Sequence, residues 1–224
     1  MVKFNIALDG PAGAGKSTVA RLVAKELGFV YVDTGSMYRA VTWKIIQLGL
    51  RTDDTPAIVT AAQNLKLELK PGDNGQQVFV DGVDVTSLIR SAEINANVSQ
   101  VSQIPEIRQR LTDIQKNLAT GKGIVMDGRD IGTKVLPDAE VKVFLTASAR
   151  RRAERRYKEA PDSAMTLDEL EADITRRDRM DAERELSPLR KAEDAVRLDT
   201  TELALDEVVQ AVLQLCRTKV NGGK

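Results

Sequence analysis

The chain has 224 residues, enough to bury a sizeable core in one main domain with an insertion or a small satellite. Its 33 basic residues balance 33 acidic ones, so no charge excess points to a nucleic-acid or membrane partner, and any basic site is local. There is no histidine and only one cysteine, Cys216, which excludes Ser/His/Asp or Cys/His nucleophiles and a disulfide framework, argues against zinc, and fits a reducing compartment.

An apolar run from Phe4 to Leu8 reads as a buried strand that stops at Gly10. Small residues follow up to Lys16, and Ser17 opens helical spacing that runs to Leu27 and ends at Gly28. A second strand from Phe29 to Val32 and a helix from about Ser36 to Leu48 give a βαβα order, which implies a parallel sheet covered by helices. Thr55 and Pro56 then read as the N-cap and first position of another helix. After Leu65, "LKLELK", "PGDNG", "QQVFVDG" and "VDV" alternate apolar and polar residues between turns, predicting a small antiparallel sheet inserted outside the main one. Helical spacing resumes from Ser91 to Leu118, restarts at Pro105, and is ended by Gly121 and Gly123. Ile124 to Met126 and Val141 to Leu145 are two further buried strands. Residues 149–190 are strongly charged and rich in arginine; "AVRLD" follows as a last strand, before an amphipathic helix from Leu203 with Cys216 on its apolar face. The reading yields five core strands and a disordered "NGGK" tail. No N-terminal stretch has the pattern of a leader and no apolar run approaches membrane-spanning length, so the expectation is a cytoplasmic protein with no membrane partner.

Gly10, Gly15, Lys16 and Ser17 satisfy GxxxxGK[ST], after a strand and at the opening of a helix. Across Gly10, Pro11, Ala12, Gly13, Ala14 and Gly15, small residues let backbone N–H groups turn inward around an anion, and the helix N-terminus adds positive charge. Lys16, on an exposed loop, is expected to reach the terminal phosphates; the Ser17 hydroxyl, beside Thr18, can ligate Mg²⁺. An ordinary glycine-rich turn needs neither the lysine nor the hydroxyl, so the loop is read as holding a nucleoside triphosphate, which does not yet separate kinases from GTPases, motors and transport ATPases. The absence of an NKxD tetrad and of a strand followed by DxxG weakens a switch GTPase. Asp127, at the end of "IVM", is the counterpart of the acidic strand end that helps hold Mg²⁺ or its waters; a turn residue in "DG" is the alternative.

Arginines narrow the class. Arg39, Arg108 and Arg129 stand apart, and Arg150 to Arg152, Arg155, Arg156, Arg176, Arg177, Arg179 and Arg184 crowd the late charged segment. Singly, each is compatible with a salt-bridged helix face. Jointly they suit a second phosphate-bearing substrate, because guanidiniums clamp phosphate oxygens bidentately. If that acceptor is a phosphate monoester, whose second pKa is about 6, its oxygen is already anionic at neutral pH. No general base is then needed, which accounts for the missing histidine.

With "DGPAGAGKST", "DTGSMYR", the β-rich insert, "IPEIRQRL", "DGRDIGT", "PDAEVKVFL" and "RRDRMDAERELSPL" in this order, the sequence resembles the bacterial cytidylate kinase family over nearly its whole length. The resemblance implies an α/β P-loop fold with a five-stranded parallel sheet in the order 2-3-1-4-5, an enlarged monophosphate-binding region and a short mobile helical lid. It divides the chain into a core (1–35, 119–148 and 191–224), a monophosphate-binding region with the β insert (36–118) and a lid (149–190). The implied reaction moves the γ-phosphoryl group of ATP to CMP or dCMP, within pyrimidine nucleotide metabolism. By the same resemblance Thr34, Ser99, Arg108 and Asp130 fall where cytosine is contacted, Arg39, Arg129 and Arg184 where the monophosphate is gripped, and Arg177 and Asp181 where the sugar is read. Arg152 and Arg156, among the lid arginines, are expected at the ATP phosphates and count as catalytic with Lys16, Arg129 and Arg184. Ser36 departs from the family, where alanine is frequent at that position.

Other readings stay open at this point. Arg177, Asp181 and Arg184 have the spacing of a salt-bridged helix face. Tyr38 and Trp43 read as packing rather than a base platform. The insert strands could bind a protein instead of walling a substrate. The acceptor could be UMP, AMP or a phosphate-free alcohol, or the chain could be an ATP-gated regulator without turnover. The short charged surface helices point to a monomer whose partners are ATP, CMP and dCMP, with no nucleic acid.

Overall fold

The apolar runs form the strands of a sheet in a computed structural model, which describes residues 2–72, 75–159 and 165–221. In chain order the elements are β1 (Asn5–Asp9), α1 (Lys16–Leu27), β2 (Val30–Asp33), α2 (Thr34–Gln47), α3 (Thr55–Asn64), β3 (Leu67–Gly72), β4 (Gly75–Val80), β5 (Val83–Asp84), α4 (Ala92–Val101) and α5 (Pro105–Leu118). There follow β6 (Ile124–Gly128), β7 (Val141–Thr146), α6 (Ala149–Glu159), α7 (Leu167–Glu183), β8 (Val196–Asp199) and α8 (Leu205–Asn221). The described chain divides into two compact units, Met1–Val30 with Lys122–Lys224, and Tyr31–Gly121.

The five-stranded sheet has the order β2-β6-β1-β7-β8, which is the expected 2-3-1-4-5 when its strands are numbered along the chain. Its β1–β6, β1–β7 and β7–β8 ladders are parallel. Central β1 is buried at all five positions, as a strand covered on both faces requires. Leu8 pairs with Asp127 and Asp9 with Gly128, so the loops leaving β1 and β6 emerge side by side at the carboxyl end of the sheet. Helix α1 buries Val19, Ala20, Val23 and Ala24 and is closed by Gly28, whose left-handed backbone (φ +65°) returns N–H bonds to the last turn. Along α8, Val208, Val209, Val212, Leu213 and Cys216 are buried, and burial pushes the Cys216 thiol up to about 11.

Among the described residues, helices α6 and α7 share a small apolar core, Ala153, Leu170 and Ile174, edged by Ala149 and Leu167. Two buried large side chains contribute roughly 3–6 kcal/mol, so this pair leans on its ion pairs and on the capping box between Thr166 and Glu169 at the start of α7.

In the second unit, Met37, Val41 and Ile45 of α2 join Ile58 of α3, Ile107 and Leu111 of α5, and Val78 and Val80 of β4 in one core. The insert is the expected antiparallel sheet, in the order β3-β4-β5. Pro105 occupies the first turn of α5, as the predicted restart requires, and Ser91, expected to open the helical spacing, is instead the cap of α4, accepting from Ile94 N–H.

The differences are local. Strand β2 runs one residue later than predicted and α2 starts at Thr34, because the Asp33 carboxylate accepts the Ser36 N–H at 3.0 Å and so caps the helix two residues early. Helix α8 starts at Leu205 instead of Leu203, with Glu207 accepting the Ala204 N–H at 2.8 Å. Strand β3 starts at Leu67 and continues through Pro71 and Gly72; Asp73 and Asn74 of the predicted turn lie outside the described residues. A π-helical turn, Ile131–Val135, follows β6 and has no periodic signal in the sequence. Of the tail expected to be disordered, Asn221 closes α8 and residues 222–224 lie outside the described residues.

One glycine is demanded by close approach. At Gly10 (φ +147°) an added Cβ would lie 2.0 Å from the Leu145 carbonyl oxygen, whereas Gly28 has nothing within 4 Å. Gly28→Ala is expected to cost about 1–2 kcal/mol, the ordinary left-handed penalty, and Gly10→Ala clearly more. Urea unfolding of the two variants followed by circular dichroism checks the order; equal losses would contradict it.

Candidate active site

The strand-to-helix loop is shaped from within. Gly13 (φ +76°) and Gly15 (φ +83°) take left-handed conformations, and the Val19 N–H returns to the Gly15 carbonyl at 3.0 Å to start α1. Pro11, Ala12 and Ala14 are buried, Gly13 and Ser17 are exposed, and Thr18 is half-buried. Lys16 is not on an exposed loop as expected: it is 5 % exposed, and its Nζ donates to the Pro11 carbonyl at 2.8 Å, folding the side chain across its own loop. Loss of water and the nearby Arg129 guanidinium pull its ammonium down to about 7, against Asp127, Asp181 and Asp9. The ammonium therefore stands within the loop's own concavity, where an anion would favour its charged form.

The Ser17 hydroxyl donates to Asp127 Oδ2 at 2.8 Å, joining the two residues expected to serve a cation. The β1–β6 register causes this, since it levels the end of β6 with the start of the loop. One residue past β6, Arg129 Nε donates to Asp181 Oδ2 at 2.8 Å, with the guanidinium side chain 25 % exposed. Burial would lower the Arg129 pKa, but Asp181, Asp127 and Asp178 more than offset it and hold it above its ordinary value. Burial likewise opposes ionisation of Asp181, yet Arg129, Arg184 and Arg177 keep its carboxyl below the usual range. Arg184 lies 3.9 Å from Asp181 and its Nε donates to the Leu186 and Ser187 carbonyls, bending the chain after α7. Arg177 is buried on the same helix. This helix face is therefore salt-bridged, and with Arg129 against it brings together Arg129, Arg177, Asp181 and Arg184.

Arg152 and Arg156 are placed differently. Arg152 is 4 % exposed, donates to the Ala147 and Ala12 carbonyls at 2.9 and 3.0 Å, and grips both oxygens of Asp178 at 3.0 and 2.5 Å. It thus ties α6 to α7 and to the loop. Arg156 stands 3.7 Å from Asp173. Residues 160–164 of the lid segment lie outside the described residues.

The second unit carries Thr34, Arg39, Ser99 and Arg108. Thr34 is buried in the first turn of α2, and Arg39, one turn on, donates to Asn95 Oδ1 of α4 at 3.4 Å over Gly35. Arg108 is buried on α5; it donates to the Ser102 carbonyl at 3.0 Å and stacks on the Tyr38 ring at 5.3 Å. Tyr38 is accordingly a platform for an arginine, and Trp43 packs against the core. Ser99 is half-buried on α4, with its carbonyl accepting from Ser102 Oγ at 2.9 Å.

Residues not singled out in the sequence also shape these groups. Gln76 of β4 accepts the Asp33 N–H at 3.1 Å and donates to Ser36 Oγ at 2.7 Å, tying the insert to the start of α2 and giving Ser36 a partner. Asp178 was lost among the charges of "RRDRMD". Asp9 accepts the Ile131 and Gly132 N–H groups at 2.8 and 2.7 Å; burial pushes its carboxyl up to about 6, with those bonds and Lys16 opposing and Asp130 assisting. Its one signal was an acid closing an apolar strand. Asp130 itself is buried next to that turn. Among the described residues no helix is long and apolar enough to cross a membrane, and no group of three or more acidic, cysteine or histidine side chains could hold a metal by itself.

A family model described as cytidylate kinase matches residues 6–218. A protein named cytidylate kinase from Exiguobacterium sp. is 52 % identical over 214 residues, covering 95 % of this chain and 96 % of its own. Another of that name from Ligilactobacillus salivarius is 53 % identical over 215 residues, covering 95 % and 96 %. Among solved structures, a gluconokinase from Sinorhizobium meliloti aligns with a TM-score of 0.52 at 17 % identity over 98 % of this chain and 95 % of its own. A shikimate kinase from Bacteroides thetaiotaomicron gives 0.50 at 14 % identity over 96 % and 99 %, and both likenesses concern the fold alone. With a buried loop lysine, a serine–aspartate pair and an arginine cluster at the carboxyl end of the sheet, and with close relatives along nearly its entire length, the chain belongs to the cytidylate kinase family.

Proposed function

We propose that this chain transfers the γ-phosphoryl group of ATP to CMP or dCMP, forming ADP and CDP or dCDP. The observation that carries the reading is the match to cytidylate kinases at about half identity over nearly the whole chain, with GxxxxGKS intact within it. Supporting it are the Ser17–Asp127 pair and the arginines around Asp181.

An acceptor phosphate oxygen attacks the γ-phosphorus while the bond to the β,γ-bridging oxygen breaks and ADP leaves. The acceptor's second pKa of about 6 makes that oxygen anionic at neutral pH, so the residues need only align two anions and neutralise them. Lys16 and the loop N–H groups take the ATP phosphates. Arg39, Arg129 and Arg184 hold the acceptor phosphate, Arg177 and Asp181 its sugar, and Thr34, Ser99, Arg108 and Asp130 its base. The Ser17 hydroxyl and the Asp127 carboxylate fit Mg²⁺, which takes one or two protein oxygens and completes its shell with phosphate and water. Bound there, Mg²⁺ would neutralise charge on the ATP phosphates. Helices α6 and α7 act as a lid on their slight apolar core, with Arg152 and Arg156 moving from Asp178 and Asp173 to the phosphates as it closes.

Turnover with ATP and a panel of CMP, dCMP, UMP and AMP tests the assignment: CMP and dCMP should be preferred, and preference for UMP or AMP, or no turnover, would overturn it. A carboxylate at 130 can only accept, which suits the cytosine amine and opposes the uracil carbonyl. Asp130→Asn should therefore narrow the CMP-over-UMP ratio of kcat/KM by losing CMP activity; an unchanged ratio in a folded variant would remove Asp130 from the base site.

Lys16→Met should lower kcat on the order of 100-fold or more, as expected for losing one preorganised charge contact. Because burial disfavours the Lys16 ammonium, the variant's melting temperature should stay level or rise. Normal turnover by the folded variant would contradict the role. Arg129→Ala should raise KM for CMP about tenfold or more with a much smaller change for ATP, and steady-state kinetics with equal shifts would place Arg129 elsewhere.

A further inference from the structure

Asp9 ends the central strand β1 and directly precedes the phosphate-loop residue Gly10, yet its carboxylate serves another segment. Oδ1 accepts the Ile131 N–H at 2.8 Å and Oδ2 the Gly132 N–H at 2.7 Å. These are the first N–H groups of the π-helical turn Ile131–Val135, and such leading donors have no partner inside their own turn. The local candidate, Asp130, makes no side-chain cap there. A carboxylate from the neighbouring strand caps the turn instead, through two charge-assisted bonds at a site only 4 % exposed. The fit is close: a Cβ on Gly132 would lie 3.3 Å from Asp9 Oδ2 and 3.3 Å from Lys142 Cδ.

The segment between these anchors is short. Gly128 is paired with Asp9 in the β1–β6 ladder, and Ile131 and Gly132 are held by the Asp9 side chain, so Arg129 and Asp130 span a gap fixed at both ends by one residue. We infer that Asp9 is a positioning residue for acceptor recognition: it holds the loop bearing Arg129 and Asp130 in register with the phosphate loop that starts at Gly10. Asp9 acts without touching a nucleotide, by backbone capping. The inference rests on the reading above that Arg129 and Asp130 address the acceptor.

Asparagine is the informative substitution. It keeps one acceptor oxygen and turns an NH₂ toward a backbone N–H, replacing one hydrogen bond by two opposed donors at nearly constant volume. Wild type, Asp9→Asn and Arg129→Ala are compared by melting temperature and by steady-state kinetics with CMP and ATP varied independently. Folded Asp9→Asn should raise KM for CMP about tenfold or more and leave KM for ATP within about threefold, matching the selectivity of Arg129→Ala. A mere support of the phosphate loop would weaken ATP as much as CMP, and that result overturns the inference, as does unchanged CMP kinetics. Should Asp9→Asn fail to fold, Gly132→Ala decides, because its added Cβ would lie 3.3 Å from the same carboxylate oxygen and press on the cap from the turn. An acceptor-selective rise in KM supports the role; no rise, or an equal rise for both nucleotides, overturns it. Arg129→Ala separates the two levels. If it leaves KM for CMP unchanged, the acceptor reading and the inference fall together; if it is acceptor-defective beside a normal Asp9→Asn, the inference falls alone.

Discussion

Positive charge held out of water is the constraint on which the rest of the first unit depends. Lys16, Arg152, Arg177 and Arg184 are buried and Arg129 is three-quarters so, at the end of the sheet where the N-terminus of α1 adds further positive potential. Desolvation of an unpaired ion costs several kcal/mol, so such a cluster persists only with oxygens against it. Asp181 meets Arg129, Asp178 meets Arg152, and loop carbonyls meet Lys16 and Arg152. These oxygens have the chemistry that a phosphate would offer. The resting pairs keep the cations oriented, and a polyphosphate bound there would have to compete with them, exchanging some affinity for preorganisation.

Strand register converts this electrostatic requirement into geometry. Because β1 and β6 are level, the loop that begins at Gly10, the Asp127 carboxylate and the Arg129 segment arise within a residue or two of one another on adjacent strands. Gly10 permits the chain to leave β1 against the Leu145 carbonyl of β7, where any side chain would collide. The cap from Asp9 then binds the start of one loop to the path of the other. A parallel sheet supplies such adjacency naturally, since all its carboxyl ends face one way.

The second unit solves a related problem with hydrogen bonds. The start of α2 carries Thr34 and, one turn later, Arg39, and its geometry is held by Asp33 as cap, by Gln76 from the insert and by Arg90 on the outer Asp33 oxygen. Arg108 is laid over Tyr38, so a flexible cation is supported by an aromatic face on the neighbouring helix. The insert thereby contributes to the shape of this helix terminus through Gln76 as well as through the apolar packing of Val78 and Val80.

Much of this was legible in the chain. Buried strands, helix stops at Gly28, the Pro105 restart, the antiparallel insert and the phosphate loop depend on residues close in sequence, whose periodicity and turn chemistry act locally. The absence of histidine and the abundance of arginines bear on the chemistry by themselves. Local signals could not choose partners. Arg129 finds Asp181 across 52 residues and Arg152 finds Ala12 across 140, and in a segment where every arginine has several acids nearby, spacing cannot say which one lies opposite. The burial of Lys16, the early cap by Asp33 with Gln76 beside it, and the reach of Asp9 to a turn with no periodicity of its own were likewise decided by tertiary structure. Sequence alone determined the elements, the loop and the class of chemistry, because those follow from neighbours along the chain; tertiary structure decided which charges meet, because register and packing set the distances over which ions and hydrogen bonds act.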